Sequence, residues 1–232
     1  MKILAIDTST TSCCTALTID GRLIAETLFN LGKTHASRLL NIVDMTLGSA
    51  GFTVSDLDGI GVALGPGSFT GLRVGIATVK GLALVAKKPV CGFSSLAMLA
   101  MNLPYAAYPV CPMFDAKKKE VYTALYECRE MIEPIIRDCV VHPGDYLDRL
   151  KGHVIFVGEG ALTYRELIID RLKERALFAP PSAHLPRASN GAILAELIFK
   201  NNMAVTPAGL LPCYIRPSEA ELAKAKRRKQ QQ

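Results

Sequence analysis

Residues 62 to 75, VALGPGSFTGLRVG, set glycines and hydroxyls directly ahead of a helical run, the composition from which phosphate cradles are built. Two such devices can be tested residue by residue. A Walker loop needs G-x-x-x-x-G-K-[ST], in which the lysine neutralises phosphate charge and the hydroxyl reaches magnesium. After Gly71 this chain has Leu72 and Arg73. A dinucleotide fingerprint needs G-x-G-x-x-G, but counted from Gly65 the sixth position is Thr70, and no acidic residue falls near 85 to 90 to hold a ribose. Two readings therefore stay open for Gly65, Pro66, Gly67, Ser68, Thr70 and Gly71. Their backbone N–H groups hold an anion at the helix start, or they form a rigid corner near a partner surface, with glycine supplying positive φ and proline stiffness. Phe69 at the loop tip, if exposed, favours a protein contact.

Other catalytic constellations are missing. His35, His142, His153 and His184 form no H-E-x-x-H or H-x-x-x-H pair, so no metal site is expected. GFSSL lacks the second glycine of a nucleophile elbow, because Leu96 stands in its place. Asp7, at the end of the first strand, suits either a magnesium ion or a turn. Lys117 to Lys119, beside Asp115, read as an exposed hairpin. The seven cysteines contain no C-x-x-C and are odd in number, which argues for buried thiols over a disulfide framework or zinc ribbon.

The elements that must position these residues follow from periodicity. KILAID, CCTALTI and RLIAETLF read as three strands, the last two joined by Asp20-Gly21 as a hairpin. From Thr34 the period becomes helical: Ala36, Leu39, Leu40, Val43 and Leu47 make one stripe, with Thr34 or Ser37 as N-cap and Gly51 as the stop. Ile42 and Met45 lie outside that stripe and give the helix a second apolar surface. LDGIGVAL reads as a buried strand, LRVGIATVKGLALVAKK as a helix, PVCGF as a strand and SSLAMLAMNL as a helix. Prolines 104, 109 and 112 mark a boundary near residues 102 to 109. Beyond it come strands at YPVCPMF and EVYTALYEC, a short helix at HPGDYLDRL, a strand at HVIFVGEG, and helices at about 161 to 175 and 188 to 200. Both halves begin with strands and close with helices, a weak sign of duplication.

Composition bounds the function classes. At 232 residues, half of them apolar and 21% charged, the chain can bury a substantial core. No apolar run approaches the roughly 20 residues of a membrane span, and MKILAIDTST meets Asp7 too early for a signal-peptide core, so a cytoplasmic protein is expected. The net charge of +6 is concentrated at the end: residues 224 to 232, KAKRRKQQQ, hold five basic groups, and without them 22 basic groups face 21 acidic ones. That tail reads as a solvated, disordered segment or as a salt-dependent contact to RNA phosphates.

LAIDTST, THASRLL, GIGVALGPGSFTGLRVGIATVKGLA, FDAKKKEVY and PCYIR together resemble the TsaB (YeaZ) family over nearly the whole chain, most specifically in the middle segment. The resemblance implies an α/β, actin-like (ASKHA, ribonuclease H-like) duplicated fold, each half a mixed sheet with flanking helices. It implies an N-terminal domain at 1–102, a more divergent second domain at 103–217 and a basic tail at 218–232. The implied function is as a scaffold or activating subunit in making N6-threonylcarbamoyladenosine at position 37 of tRNA, without catalytic residues and with no cofactor required. Implied partners are a TsaD homologue, which holds the metal and transfers the group, the ATPase TsaE, and functionally TsaC. Also implied are a homodimer when alone and tRNA bound through the complex, with weak direct contact by the basic tail. Carried over residue by residue, the partner surface comprises His35, Ala36, Leu39, Leu40, Ile42, Val43, Met45, Leu47, Phe69 and Arg73. A residual nucleotide site falls at Asp7, Thr8 and Ser9, with ATP held there weakly or at the complex interface; the family fold's D-x-G-[ST] turn lacks its glycine here. The alternative function is an ATP-dependent small-molecule kinase of the same fold, for which Asp7 and Gly158-Glu159-Gly160 are the candidate phosphate and magnesium elements. A metallopeptidase reading lacks ligands.

Overall fold

The computed structural model describes residues 1–32 and 38–216. His35, Ala36, the expected caps Thr34 and Ser37, and the basic tail 218–232 lie outside the described residues. Strands β1 (Lys2–Asp7), β2 (Cys13–Ile19), β3 (Arg22–Phe29), β4 (Gly59–Gly65) and β5 (Val90–Ser94) form one sheet in the order β3-β2-β1-β4-β5. β1 runs antiparallel to β2 and parallel to β4. Strands β6 (Val110–Asp115), β7 (Val121–Cys128), β8 (Ile132–Val141), β9 (Val154–Val157) and β10 (Ala176–Phe178) form a second, in the order β10-β9-β6-β7-β8. β6 is antiparallel to β7 and parallel to β9. Read from its antiparallel edge, the second sheet repeats the strand order of the first, so the duplication expected from element order is a duplication of topology.

Alternation along β1 explains why helices cover both faces of the first sheet. Leu4 and Ile6 pack into one core with residues of α1 (Leu39–Gly48) and α2 (Phe69–Ala86). Ile3 and Ala5 pack into another with Ala192, Ala195 and Phe199 of α7 (Ala188–Lys200). Three shorter helices, α4 (Pro143–Leu147), α5 (Glu159–Thr163) and α6 (Arg165–Leu172), belong to the second half, and α3 (Ser95–Ala100) joins the two. By length and composition α2 could cross a membrane, but its Leu72, Ile76, Val79 and Ala83 are buried in the first core.

Helix α7 follows the second sheet in sequence and yet packs on the first, against β1, β2, β4 and β5. The Glu26 carboxylate on β3 fixes its start, accepting from Arg187 Nε at 2.8 Å and Nη2 at 2.6 Å and from the N–H and hydroxyl of Ser189 at 2.9 and 3.0 Å. An acidic group at a helix N-terminus also meets the positive end of the helix dipole. Beyond α7, Val205 bridges to Val90 and the Cys213 N–H donates to Leu64 O, so residues 205 to 213 return to the first sheet.

Two elements differ from the periodicity. β8 contains Pro134, which removes a ladder donor, and so IEPIIRDCVV does not read as a strand; its edge position tolerates the proline. β10 is three residues long and follows the helical stretch expected at 161 to 175, which divides into α5 and α6 at Tyr164. In α1 the faces are also redistributed. Ile42 is buried with Leu39, Val43 and Leu47, whereas Leu40 is 58% and Met45 53% exposed. Ile42 thus belongs to the buried stripe, and the apolar residues this helix leaves exposed are Leu40 and Met45, about 140° apart around its axis.

Helix α1 is held down by a hydroxyl chain. Thr46 Oγ1 lies 2.5 Å from Thr15 Oγ1 on β2, 2.8 Å from Thr27 Oγ1 on β3 and 2.9 Å from Ile42 O. Thr46 is fully buried. Thr46→Val keeps the shape and takes one partner from each of the Thr15 and Thr27 hydroxyls, so urea unfolding is expected to show a loss of about 1–3 kcal/mol.

Candidate functional site

A cleft of about 520 Å³ lies between the two halves, lined by turns, strand ends and helix starts. Its first wall is the β1–β2 turn (Ser9, Thr10, Thr11) with the loop and first turn of α2, Gly67 to Gly71. Its second wall is Phe114, Asp115, Ala116, Lys117 and Tyr122 of the β6–β7 hairpin, with Glu159 of α5. Every residue of the GPGSFTG segment from Gly67 onward borders this cleft, so the segment does sit where a ligand would be enclosed.

The glycines nevertheless serve packing. A Cβ at Gly67 would lie 2.3 Å from Ser9 O, at Gly71 2.0 Å from Thr8 O, and at Gly75 2.5 Å from Thr8 Oγ1. Spaced four apart, these three line one face of α2 and its approach, and the β1–β2 turn lies on that face. Hydrogen bonds complete the seam: Ser68 N–H donates to Ser9 O at 2.7 Å, and Thr8 Oγ1 donates to Gly71 O at 2.7 Å. Ser68 caps α2, its Oγ accepting from Gly71 N–H at 3.2 Å. Gly65 has φ +121°, and Pro66 O accepts from Ser95 Oγ of α3. The loop is a corner clamped on three sides.

Asp7 is fully buried, with Oδ1 accepting from Ser9 N–H at 2.9 Å, a turn-forming role. Of Asp7, Thr8 and Ser9, only Ser9 borders the cleft. In the second half, a Cβ at Gly158 would lie 2.4 Å from Met113 O, and one at Gly160 2.9 Å from both Met113 and Phe114 backbone atoms. Those glycines let α5 approach β6, and between them Glu159 reaches the cleft.

The ionisable groups of the second wall are engaged locally. Asp115 Oδ1 accepts from Lys117 N–H at 2.8 Å, and Oδ2 from Lys117 Nζ at 2.9 Å, which raises the lysine pKa. Burial raises the Glu159 carboxyl above its usual range; Lys117 opposes that shift, and Asp115 adds to it. Burial pushes Cys13, Cys91 and Cys111 up to about 12, far from nucleophilic thiolates. The described histidines have structural partners: His142 Nδ1 accepts from Gly144 N–H, His184 Nδ1 from Gly158 N–H, and His153 packs on Tyr108. Among the described residues no group of three or more His, Cys, Asp or Glu could hold a metal ion.

A strap that periodicity did not reveal ties the two walls together. Cys213 N–H donates to Leu64 O at 2.8 Å. Tyr214 stacks on Phe69 with centroids 4.5 Å apart, and its hydroxyl accepts from Arg73 Nε at 2.8 Å. The Arg73 guanidinium lies 3.9 Å from the Phe69 ring centroid. Two residues later, Arg216 donates to Ala116 O at 2.6 Å and pairs with Glu120 in the β6–β7 turn. Phe69 is therefore not a free loop tip: it is half-buried under Tyr214 and Arg73. In that turn Lys117, Lys118 and Lys119 have φ of 59°, 54° and 62°, a left-handed run costing roughly 1–2 kcal/mol per residue.

Of the residues expected at a partner surface, Leu39, Ile42, Val43 and Leu47 are inside the first core. Leu40, Met45 and Arg73 are exposed. Leu84 and Val85 on α2 are also exposed, 67% and 88%, although periodicity did not single them out.

Duplicated mixed sheets, a cleft between them and helices on the sheets define a two-lobed actin-like α/β protein. A hexokinase of the ROK type from Thermus thermophilus shares that fold at TM-score 0.51 and 13% identity, with 87% of this chain and 100% of that one covered. Residues 30–224 match the family model described as TsaD: tRNA N6-adenosine threonylcarbamoyltransferase. The tRNA threonylcarbamoyladenosine biosynthesis protein TsaB of Bacillus subtilis is 36% identical over 225 residues, 95% of this chain and 96% of that one. YeaZ from Pseudomonas aeruginosa superposes with TM-score 0.79 at 31% identity, over 92% of this chain and 99% of its own. The chain belongs to the TsaB (YeaZ) family, within the broader group that the TsaD model describes.

Two outcomes test this site. Gly71→Ala should lower stability by about 1–3 kcal/mol in urea unfolding, through overpacking against Thr8. For Glu159, a raised folded-state pKa means the folded protein binds the proton more tightly, so its contribution is most favourable below the ordinary glutamate range and is lost as pH rises through the raised value. Glu159→Gln should accordingly be more stable than the parent at pH 7, with that advantage shrinking on acidification in pH-resolved melting curves.

Proposed function

We propose that this chain is the non-catalytic, partner-binding subunit of the assembly that forms threonylcarbamoyladenosine on tRNA. The carrying observation is that both long helices packed on one face of the first sheet leave large apolar side chains exposed, Leu40 and Met45 on α1 and Leu84 and Val85 on α2. It coexists with a cleft whose turns and charges are engaged within the chain. The partner on that layer is a TsaD homologue, which supplies the catalytic metal, with the ATPase TsaE recruited to the pair and TsaC supplying the activated threonylcarbamoyl group. In this reading the subunit needs no cofactor of its own, and any nucleotide sits at the interfaces of the assembly. Without TsaD the same layer pairs two copies of the chain. A standard interface buries about 1,600 Å² in total, and two adjacent helices supply a face of that order.

A second reading, an ATP-dependent small-molecule kinase, is favoured by one observation: α2 starts at the cleft wall, where a helix N-terminus suits an anion. Calorimetry of the isolated chain with Mg-ATP separates the two. Turnover on an acceptor would support the kinase.

Leu40→Glu places a charge on the exposed layer without touching the core. Co-purification with the TsaD homologue of the same cell should fall at least about tenfold for this variant, given a central apolar contact. A folded Leu40→Glu chain that pairs normally would refute the docking face. Full tRNA modification in the absence of the chain would refute the subunit role.

A further inference from the structure

We propose that Arg216 is a releasable latch: carried by the first half, its guanidinium closes on the β6–β7 turn of the second, and its release lets the cleft widen. The latch stands whichever partner docks on the first half, so it goes beyond the function proposed above.

The moving end follows from where residues 205 to 216 are held. Val205 exchanges both backbone hydrogen bonds with Val90 of β5, at 2.8 and 3.3 Å, Leu210 is buried in the first core, and Cys213 N–H donates to Leu64 O on β4. Tyr214 adds the stack on Phe69 and the bond from Arg73. All of these contacts are to the first half. Among the anchors of this segment Arg216 alone reaches the second, through Ala116 O and the Glu120 carboxylate, with the Tyr122 ring centroid 5.9 Å from its guanidinium. One side chain therefore makes the closure, and the rest of the segment travels with the first half.

The pivot lies elsewhere. The chain crosses between the halves after α3 and before α7, and Asn102 ties the two crossings together. Its Nδ2 donates to Ala183 O at 2.7 Å and Leu185 O at 2.8 Å, and its Oδ1 accepts from Asn190 Nδ2 at 2.8 Å. None of these four residues lines the cleft, whereas Phe69 and Ala116, the neighbours of Tyr214 and Arg216, both do. Two tied crossings away from the cleft are a hinge, and a side chain that bridges its walls is the catch.

The seat of Arg216 is a strained turn. Lys117, Lys118 and Lys119 are left-handed in succession, and the turn is closed across them by Ala116 N–H donating to Glu120 O at 3.0 Å. Backbone strain of this kind persists where the surroundings over-determine it. Here it brings the Ala116 carbonyl and the Glu120 carboxylate within reach of one guanidinium, whose planar fork suits two acceptors. The ion pair stays open to solvent, with the Arg216 side chain 20% and that of Glu120 38% exposed, so it can release without unfolding and weakens as salt rises.

The test is pulsed electron paramagnetic resonance on the full chain, with spin labels on unnatural residues at Thr11, exposed on the first wall, and at Leu162, exposed on α5 beside the second. Labelled chains are diluted in unlabelled ones so that distances within one molecule are read. Arg216→Gln and Glu120→Gln should each raise the longer-distance population about two- to fivefold, the range open to an exposed ion pair, and the double variant should add nothing to the larger single effect. Raising salt from about 0.1 to 1 M should do the same in the parent and leave Arg216→Gln unmoved. Tyr214→Phe keeps the ring and removes one hydroxyl from an end held elsewhere, so it should match the parent, as should Arg129→Gln in the exposed pair with Glu127. An unchanged distribution in folded Arg216→Gln would overturn the latch; if that variant does not fold, a parent distribution that ignores salt overturns it instead. Tyr214→Phe opening the molecule as far as Arg216→Gln would also overturn it, because the first-half end would then be the one that lets go.

Discussion

The β1–β2 turn lies on a face of α2 that only glycine leaves open. Gly67 and Gly71 bring the backbone of Ser9 and Thr8, and Gly75 the hydroxyl of Thr8, within a distance that a Cβ would violate. Much else depends on that approach. It sets the start of α2, hence the first wall of the cleft and the position of Phe69, on which the C-terminal strap stacks. It also directs the hydroxyl of Thr8 to a helix carbonyl.

The same approach accounts for the glycines of this loop through packing within the chain. A cradle needs glycine so that a ligand can come close to backbone N–H groups. Here the close neighbour is the protein's own turn, and Ser68 N–H is already donating to Ser9 O. Gly158 and Gly160 repeat the arrangement in the second half, with Met113 and Phe114 as the close neighbours. In both halves, glycine marks a helix start seated tightly on neighbouring chain, a turn in the first and strand β6 in the second.

Much of the fold was legible because its signals are local. The Asp20-Gly21 hairpin, the short apolar run of β1 and the long apolar run of α2 each appear within one stretch of sequence. Ile42 and Leu40 could not be sorted between core and surface, since both are apolar and the threonine chain that sets the rotation of α1 joins three separate elements. β8 was hidden by Pro134, whose cost depends on edge position, a property of the sheet. The strap was hidden for the same kind of reason. Tyr214 and Arg216 meet Arg73 and Glu120, 141 and 96 residues away, with no periodicity to announce them.

That strap bears on what the cleft can do. Enzymes of two-lobed folds close by hinge motion around their ligands, and the motion needs lobes that separate freely. Here Tyr214 is fixed to the first wall and Arg216 to the second. Two residues of chain span at most about 7 Å, so wide opening requires one anchor to release. The Tyr214 anchor combines a stacked ring with a hydrogen bond from Arg73, and the Arg216 anchor joins a carbonyl and a carboxylate. A molecule restrained in this way presents its outer helices at a fixed angle to its second half. Such rigidity suits a subunit that positions a partner better than one that must open and shut in every turnover.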